Sequence, residues 1–265
     1  MENIKEYIQK KKEFYKEFFI NTKKKFTLMI IQVNDDPASN AYIKGKIKDC
    51  VEIGINYIHQ KYDESVSEEF LLSEIEKFNN DKSITAFFVQ MPLPKHINEE
   101  KVKRAVTPKK DIDGFNPLSS YIPATVKGIV EYLKDNKFIF EGKNAVVLGR
   151  SNIVGKPMQK ELLNLNMNVV NLHSKTTDDD RKFYIEHADL IVVAIGKKYY
   201  LDNRFNYKEN CVVMDVGINR EDGKLYGDCE PNLNVLYQSS VPGGVGLLTR
   251  LALLINFWEA CKNEI

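Results

Sequence analysis

The sequence predicts an α/β protein of two domains, each built on a parallel β-sheet with helices on its faces. Short apolar runs of strand composition alternate with amphipathic stretches of helical periodicity along the 265-residue chain. Such alternation is typical of parallel sheets. The segment 113–123 is rich in turn-forming residues and divides the chain into two series of strands and helices. We therefore predict an N-terminal domain at 1–120 and a C-terminal domain at 121–245, with a cleft between them.

The N-terminal series follows a β-α-β-α-β rhythm after an amphipathic helix over 2–24. Strands are predicted at 26–33, 55–59 and 84–89, and helices at 36–51, 66–79 and 98–105. Asp36 and Pro37 mark a helix start, because an acidic N-cap before a first-turn proline is a typical helix beginning. Gly54 is expected to end that helix. Its buried stripe is predicted to consist of Ile43, Ile47, Cys50 and Val51.

The C-terminal series has the helix and strand spacing of a Rossmann-type sheet. Helices are predicted at 125–135, 153–164 and 178–187, and strands at 144–148, 168–172, 190–195 and 211–216. A last helix over about 246–265 is predicted to pack back on the N-terminal domain.

Composition excludes several classes of protein. The net charge is +1, which favours neither nucleic acid nor an anionic membrane as a partner, and no apolar run is long enough to span a bilayer. The four cysteines form no C-x-x-C pair, so we predict neither a disulfide framework nor a metal site. The charged N-terminus does not resemble a secretory signal. We expect a cytoplasmic location.

A glycine turn after the predicted strand 144–148 indicates a nucleotide site. Gly149, Arg150 and Ser151 open this turn, and a glycine between strand and helix lets backbone N–H groups approach a pyrophosphate. Ser151 stands where the G-x-G-x-x-G pattern has its second glycine, so a plain turn is an equally good interpretation of the loop alone.

The end of the next strand indicates which cofactor binds. NAD-specific sites carry an acidic residue there, whereas this chain has Ser174 and Lys175, with Arg150 in the preceding turn. Hydroxyl and basic groups would bind a 2′-phosphate, which a carboxylate would repel. We therefore predict NADP as the cofactor.

Two further glycine turns follow strands in this half. Gly217 and Ile218 follow the strand at 211–216, and Pro242, Gly243 and Gly244 precede the last helix. Open α/β sheets bind ligands at the carboxyl ends of their strands, which favours a ligand contact at both turns. A plain turn is the alternative.

Polar residues in the N-terminal half form a candidate catalytic group. Tyr42 and Lys46 are spaced i, i+4 and share one helix face. Gln90 ends a strand before a proline-rich loop, and Asp113 lies in an Asp-Gly turn. Taken singly, each has an ordinary interpretation as a solvated lysine, a loop glutamine or a turn residue.

Eight motifs occur in a fixed order along the chain. They are Asp35-Asp-Pro-Ala-Ser39, Tyr42-x-x-x-Lys46, Val89-Gln-Met-Pro-Leu-Pro94, Lys110-Asp-Ile-Asp-Gly-Phe115, Gly149-Arg-Ser-Asn-Ile-Val-Gly-Lys-Pro157, His173-Ser-Lys-Thr176, Asp215-Val-Gly-Ile-Asn-Arg220 and Val241-Pro-Gly-Gly-Val-Gly246. With them the chain resembles the methylenetetrahydrofolate dehydrogenase/methenyltetrahydrofolate cyclohydrolase family over about residues 26–260.

The resemblance implies two reactions. One is the NADP-dependent oxidation of 5,10-methylenetetrahydrofolate, and the other is the hydrolysis of the methenyl product to 10-formyltetrahydrofolate. It implies that Lys46 is the central group of the hydrolysis and that Gln90 holds Lys46 in position. Tyr42 would stack on the folate, and Asp113 would anchor the pterin. A folate-binding domain at 1–120 and an NADP-binding domain at 121–245 follow from this assignment.

The resemblance also implies the cofactor residues and the assembly. Gly149, Arg150, Ser151, Ser174 and Ile218 would line the NADP site, and Pro242, Gly243 and Gly244 are placed among the substrate-binding residues. The family suggests a homodimer whose substrates are tetrahydrofolate derivatives. The segment 115–122 is shorter than is usual in the family. Two alternatives therefore stay open: a monofunctional dehydrogenase or cyclohydrolase on this scaffold, and a non-catalytic folate- or nucleotide-binding relative.

Overall fold

A computed structural model describes residues 1–264 and divides them into two compact units. The five-stranded unit comprises Met1–Ile8 and Thr125–Thr249, and the three-stranded unit comprises Gln9–Ala124 together with Arg250 and the described residues after it. Both units have parallel sheets flanked by helices. The predicted two-domain α/β fold is thereby confirmed.

The N-terminal limit of the predicted first domain differs from the structure. The prediction assigned residues 1–120 to one domain, but Met1–Ile8 group with the five-stranded unit. The reason is side-chain packing. The Tyr7 hydroxyl donates to Asp135 at 2.7 Å, and the Tyr7 ring packs edge-on against Tyr132.

The three-stranded unit has the strand order β2-β1-β3, with all pairs parallel. The strands are β1 (Thr27–Gln32), β2 (Asn56–Lys61) and β3 (Ala86–Val89). The helices are α1 (Ile4–Asn21), α2 (Pro37–Ile53), α3 (Glu68–Asn80), α4 (Glu99–Ala105) and α8 (Val245–Lys262). The first residues of α1 and of α8 belong to the five-stranded unit. Strands β1 and β3 are buried along their whole length, as continuous apolar runs predict for a covered parallel sheet.

Helix α2 begins and ends as its sequence predicts, but its buried face is different. The Asp36 carboxylate caps the N-terminus by accepting from the Ser39 amide, and Gly54 ends the helix at φ +82°. The predicted apolar stripe was wrong at Val51, which is 64% exposed. The helix buries Lys46 and Asp49 instead, because other parts of the chain supply partners for both charges.

Helix α8 carries a buried polar group that ties down a loop of the three-stranded unit. The Asn256 side chain donates to the backbone carbonyls of Ile112 at 2.8 Å and Ile122 at 3.0 Å. Nearby, Phe257 stacks on Phe19 of α1. The predicted helix extended to residue 265, which lies outside the described residues.

The five-stranded unit has the parallel strand order β10-β7-β6-β4-β5. Its strands are β4 (Asn144–Leu148), β5 (Asn168–Leu172), β6 (Leu190–Val193), β7 (Val212–Asp215) and β10 (Tyr237–Gln238), and its helices are α5 (Ala124–Asp135), α6 (Gly155–Asn164) and α7 (Asp178–Glu186). The chain leaves β4 for β5 on one side and then returns to β6 on the other. This reversal is the switch point at which doubly wound sheets bind ligands.

A short antiparallel hairpin was not predicted from the sequence. It pairs β8 (Asn219–Glu221) with β9 (Lys224–Tyr226). Asp222 and Gly223 form its turn with positive φ angles of 48° and 74°. Asp-Gly is a typical hairpin signal, so the sequence contained the information. Within the described part of the chain, no helix combines the length and apolar character needed to cross a membrane.

Candidate active site and nucleotide site

Lys46 of α2 is buried at the end of β3, with only 5% of its surface exposed. Its Nζ donates to Gln90 Oε1 at 3.2 Å. The same Nζ lies 3.7 Å from the ring centroid of Phe88 and 5.1 Å from that of Tyr42. Three of the predicted residues are thus brought together, and Phe88 joins them. Phe88 precedes Gln90 by two positions on a strand, so alternation along β3 would have placed both on one face.

The electrostatics of this site shift the pKa values of Lys46 and Asp113 towards each other. Burial is the main cause that lowers the pKa of Lys46, and the Arg250 charge lowers it further, while Asp113 and Cys50 oppose the shift. Burial raises the pKa of Asp113, and Lys46 opposes that shift. A buried lysine with a lowered pKa can lose its proton at a lower pH than a solvated one and then act as a base.

Gln90 is oriented by the loop that follows it. Its Nε2 donates to the Met91 carbonyl at 2.7 Å, which turns Oε1 towards Lys46. The Met91–Pro92 peptide is cis, and Pro92 accepts from Asn34 through its carbonyl. This loop therefore holds the amide so that an acceptor faces the lysine.

The Asp-Gly turn that carries Asp113 depends on its glycine. Gly114 has φ +70°, and a Cβ there would lie 2.6 Å from the Tyr121 carbonyl oxygen. The neighbouring Asp111 is buried, accepts from the Asn116 amide at 2.7 Å, and has a pKa raised to about 7 mainly by burial. Sequence reasoning did not single out Asp111 as a separate group. Its backbone and side-chain bonds indicate that it shapes the turn rather than serving a ligand.

The glycine turn after β4 brings backbone segments very close together. Gly149 has φ +111°, and a Cβ there would lie 2.3 Å from the Ala194 carbonyl oxygen after β6. A Cβ on Gly155 would lie 2.4 Å from the carbonyl oxygen of Gly149. Both positions exclude a side chain, so the N-terminus of α6 meets the strand end as in nucleotide-binding turns.

Ser151 explains why the missing second glycine is tolerated. Its Oγ accepts from the backbone N–H groups of Val154 at 3.2 Å and Gly155 at 3.4 Å. The serine therefore holds the backbone that leads into α6. Arg150, Ser174 and Lys175 are exposed, and the turn after β5 is closed by a bond from the His173 amide to Thr176 Oγ1 at 3.0 Å. These donors fit a phosphate-bearing nucleotide.

Two buried carboxylates, whose roles were not predicted from the sequence, hold the loops at the carboxyl ends of β6 and β7. Asp228 accepts from the amides of three consecutive residues, Ile195 at 2.7 Å, Gly196 at 2.8 Å and Lys197 at 2.9 Å. Asp215 accepts from the amides of Gly217, Asp228 and Cys229. Burial raises the pKa of Asp215 to about 6 although these bonds oppose the shift. In the sequence, only the Gly-Asp pair at 227–228, which is typical of a turn, could have indicated Asp228.

The remaining predicted residues lie in the five-stranded unit. Ile218 is 58% exposed in the loop after β7. Pro242 follows a cis peptide bond, Gly243 has φ +96°, and a Cβ on Gly244 would lie 2.2 Å from the Ser240 carbonyl oxygen. Pro242, Gly243 and Gly244 thus belong to a different unit from Lys46. Among residues 1–264, no cluster of three His, Cys, Asp or Glu side chains is placed to hold a metal ion.

Together, these features define a two-domain α/β enzyme. One domain has a buried lysine at a strand end, and the other has a doubly wound sheet with a nucleotide-binding turn. Residues 1–113 match the catalytic domain of tetrahydrofolate dehydrogenase/cyclohydrolase, and residues 123–265 match its NAD(P)-binding domain. The chain belongs to the tetrahydrofolate dehydrogenase/cyclohydrolase family, and it is an enzyme of one-carbon folate metabolism.

Known proteins agree with this assignment. The bifunctional protein FolD of Bacillus thuringiensis (strain Al Hakam) is 42% identical over 250 residues, which cover 89% of this chain and 86% of that protein. The crystal structure of the bifunctional enzyme FolD from Campylobacter jejuni has a TM-score of 0.94 and 37% identity, and covers 99% of this chain and 98% of that one. A silkworm (Bombyx mori) 5,10-methylenetetrahydrofolate dehydrogenase has a TM-score of 0.88 and 32% identity, covering 97% and 96% of the two chains.

Proposed function

We propose that this chain oxidises 5,10-methylenetetrahydrofolate with NADP and hydrolyses the methenyl product to 10-formyltetrahydrofolate. The observation that carries the proposal is the buried Lys46, bonded to Gln90 at 3.2 Å and electrostatically coupled to Asp113. Burying a lysine costs free energy, so a lysine kept in such a place indicates a functional role. Family membership supplies the substrate class.

The hydrolysis can be written with this chain's own groups. Water adds to the cationic methenyl carbon, and neutral Lys46 accepts a proton from that water. The bond from this carbon to N5 then breaks, N5 takes a proton, and the hydroxyl proton leaves as the formyl carbonyl forms. One proton is released overall. Gln90 holds Nζ through its acceptor oxygen, Tyr42 offers an aromatic face to the folate, and the Asp113 carboxylate binds N–H groups of the pterin.

The oxidation places different demands on the protein. When bound, a nicotinamide cofactor would supply the hydride acceptor for the methylene carbon, so the chain's own residues would bind and align the two molecules. Gly149 and Gly155 let the backbone segments around the turn after β4 pack closely, and Ser151 bonds the same turn. The turn would present its backbone N–H groups to the pyrophosphate. Ile218, together with Pro242, Gly243 and Gly244, is assigned to the ligand-contacting loops of this reaction.

The choice of NADP is supported by the groups at the end of β5. Ser174 and Lys175 are exposed there, as is Arg150 in the neighbouring turn, and the strand end carries no carboxylate within the turn 173–176. A 2′-phosphate gains charge-assisted hydrogen bonds from such donors, whereas a free ribose hydroxyl gains less.

Changing Ser174 to aspartate is expected to reverse the cofactor preference. The new carboxylate would repel the 2′-phosphate and accept from a ribose hydroxyl, so kcat/KM for NADP should fall by about 10²-fold relative to that for NAD. Initial rates of methylenetetrahydrofolate oxidation with each cofactor measure this ratio. Thr177→Asp, at the exposed N-cap of α7, is the matched control. An unchanged ratio in Ser174→Asp would show that Ser174 does not face the ribose.

The direct test of the proposed function measures two steps with two cofactors. Purified protein should form the methenyl compound with NADP and should accelerate methenyl hydrolysis above the uncatalysed rate. Loss of one activity identifies a monofunctional enzyme. Thermal stabilisation by folate without either turnover identifies a binding protein and contradicts the proposal.

The hydrolysis rate is expected to rise with pH across the range in which Lys46 loses its proton. Burial lowers the pKa of Lys46, so the neutral amine that accepts the water proton becomes abundant as pH increases through that pKa. The enzymatic rate, corrected for uncatalysed hydrolysis at each pH, measures this. A rate that falls as pH rises over the same range would assign the protonated lysine as the active form.

The proposal also includes the cellular location of the enzyme, its assembly and the use of its product. All four cysteines are free and buried, which suits the reducing cytoplasm. The family resemblance supports a homodimer, and light scattering coupled to size-exclusion chromatography would measure the mass in solution. We place the 10-formyl product as a one-carbon donor for purine biosynthesis.

A further inference from the structure

Arg250 of α8 forms a clamp on the helix that carries Lys46. Its Nε donates to Asp49 Oδ2 at 2.6 Å, and its NH2 group donates to Asp49 Oδ1 at 2.6 Å and to the Gly45 carbonyl at 2.9 Å. The Asp49 side chain is only 3% exposed and that of Arg250 is 21% exposed. The guanidinium therefore spans the turn of α2 from Gly45 to Asp49, and Lys46 lies within that turn.

Gly45 is present because the guanidinium occupies the space of a side chain. A Cβ at this position would lie 2.7 Å from NH1 and 2.8 Å from Cζ of Arg250. Glycine inside a helix costs about 1 kcal/mol relative to alanine. Glycine stands directly before Lys46 despite this cost. This indicates that the contact with Arg250 matters more at this position than helix propensity.

Asp49 completes the clamp through a second cation. Lys12 of α1 donates to Asp49 at 2.6 Å and to Glu52 at 2.7 Å. The Lys12 side chain is 12% exposed, so it is more enclosed than that of Arg250 at 21%. Of these two cations, Arg250 is the one that also bonds the α2 backbone and acts on the charge of Lys46. Lys12 therefore provides a natural control.

We propose that Arg250 is a positioning residue for Lys46, which fixes through Asp49 and Gly45 the helical turn that aims the amine. This inference rests on the proposed role of Lys46 in methenyl hydrolysis. It adds a residue from α8 to a site otherwise built from α2, β3 and the Asp-Gly turn.

The charged groups around Lys46 define what Arg250 contributes. Asp113 on the Asp-Gly turn and Cys50 on α2 favour the protonated amine, whereas burial and Arg250 oppose it. Asp113 in turn contributes, after burial, to the raised pKa of the neighbouring Asp111. Asp49 and Lys12 offset one another in the clamp. Without the Arg250 charge, the effect of Asp113, which favours protonated Lys46, is opposed less. The pKa of Lys46 should therefore rise, and its titration should move to higher pH.

The experiment compares Arg250→Met with Arg250→Lys in the full-length enzyme. Methionine removes the clamp and the charge, so kcat for hydrolysis should fall by about 10-fold to 100-fold and the midpoint of its pH profile should rise. Lysine keeps the charge but cannot form the bidentate pair, so kcat should fall while the midpoint stays near that of the wild type. KM for the methenyl compound should change little in both variants.

Gly45→Ala tests the clamp without touching a charged residue. Alanine favours the helix, so the variant folds, but its methyl group displaces the guanidinium. We expect a loss of kcat similar to that of Arg250→Lys. Lys12→Met, which removes the other partner of Asp49, should keep the wild-type pH midpoint. NADP-dependent oxidation, assayed in parallel, reports whether each variant is folded.

Titration of Lys46 by NMR in lysine-labelled protein, assigned with Lys46→Met, separates this inference from the proposed function. A wild-type protein without methenyl hydrolysis contradicts the function, yet its Lys46 titration still tests the inference. Arg250→Met with an unshifted Lys46 titration and wild-type kcat overturns the role of Arg250. Equal midpoint shifts in Arg250→Met and Lys12→Met overturn it also, because they would indicate general loosening of α2.

Discussion

Replacing Lys46 with methionine is expected to lower the hydrolysis of methenyltetrahydrofolate by about 10²- to 10⁴-fold, the usual contribution of a positioned proton acceptor. Methionine is close to lysine in length and suits the apolar surroundings of the Phe88 and Tyr42 rings. The fold should therefore persist and the loss should appear in kcat. Loss of the methenyl compound over time, corrected for the uncatalysed rate, measures the effect.

Two comparisons make this result specific. Lys48→Met removes an exposed lysine from the same helix and should leave both activities unchanged. NADP-dependent oxidation should survive in Lys46→Met within severalfold, because hydride transfer needs alignment rather than a proton acceptor. Hydrolysis at the wild-type rate in Lys46→Met would remove Lys46 from the mechanism and direct attention to Asp113.

Replacing Gly149 with alanine is expected to eliminate NADP-dependent oxidation, with a fall in kcat/KM of at least about 10²-fold. The residue has φ +111°, and a methyl group would lie 2.3 Å from the Ala194 carbonyl oxygen, which is backbone and cannot rotate away. The turn must therefore shift, and the N-terminus of α6 shifts with it. The methenyl hydrolysis should remain, because its proposed residues lie in the other unit.

Gly142→Ala is the matched control for this prediction. Gly142 also has a positive φ of 72°, but nothing lies within 4 Å of a Cβ added there. The Gly142→Ala variant has the same kind of backbone strain as Gly149→Ala but no steric clash with another backbone segment. It should therefore lose some stability and keep the wild-type KM for NADP. If both variants lost NADP binding equally, general destabilisation would account for the effect. Calorimetric titration with NADP, alongside thermal unfolding, distinguishes the two causes.

Much of the fold follows from local patterns in the sequence. The strands at 144–148 and 168–172 were predicted at their observed limits, because each is a short apolar run bounded by turn residues. Helix α2 was bounded correctly at its start by Asp36 and Pro37. Strand β10, only two residues long, was missed because its pairing with β7 is decided by residues far away in the chain. Local composition carries no information about such a partner.

The candidate site shows the same division between local and distant information. Order and spacing along the chain selected Tyr42, Lys46, Gln90 and Asp113 as candidates, and their assembly in one unit agrees with that selection. The sequence could not reveal the clamp of Arg250 on Asp49, because these residues are 201 positions apart. Nor could it predict the three amides on Asp228 from the loop after β6.

Helix α2 carries Lys44, Lys46 and Lys48 at alternating positions, and the sequence by itself determined that this helix exists and where it begins. It also determined the family, through motifs that need only their order. Only the tertiary structure decided that Lys46 is buried while Lys44 and Lys48 are exposed. The physical reason is that the pKa of an amine depends on the rings, carboxylates and cations packed around it, and β3, the Asp-Gly turn and α8 supply these from distant parts of the chain.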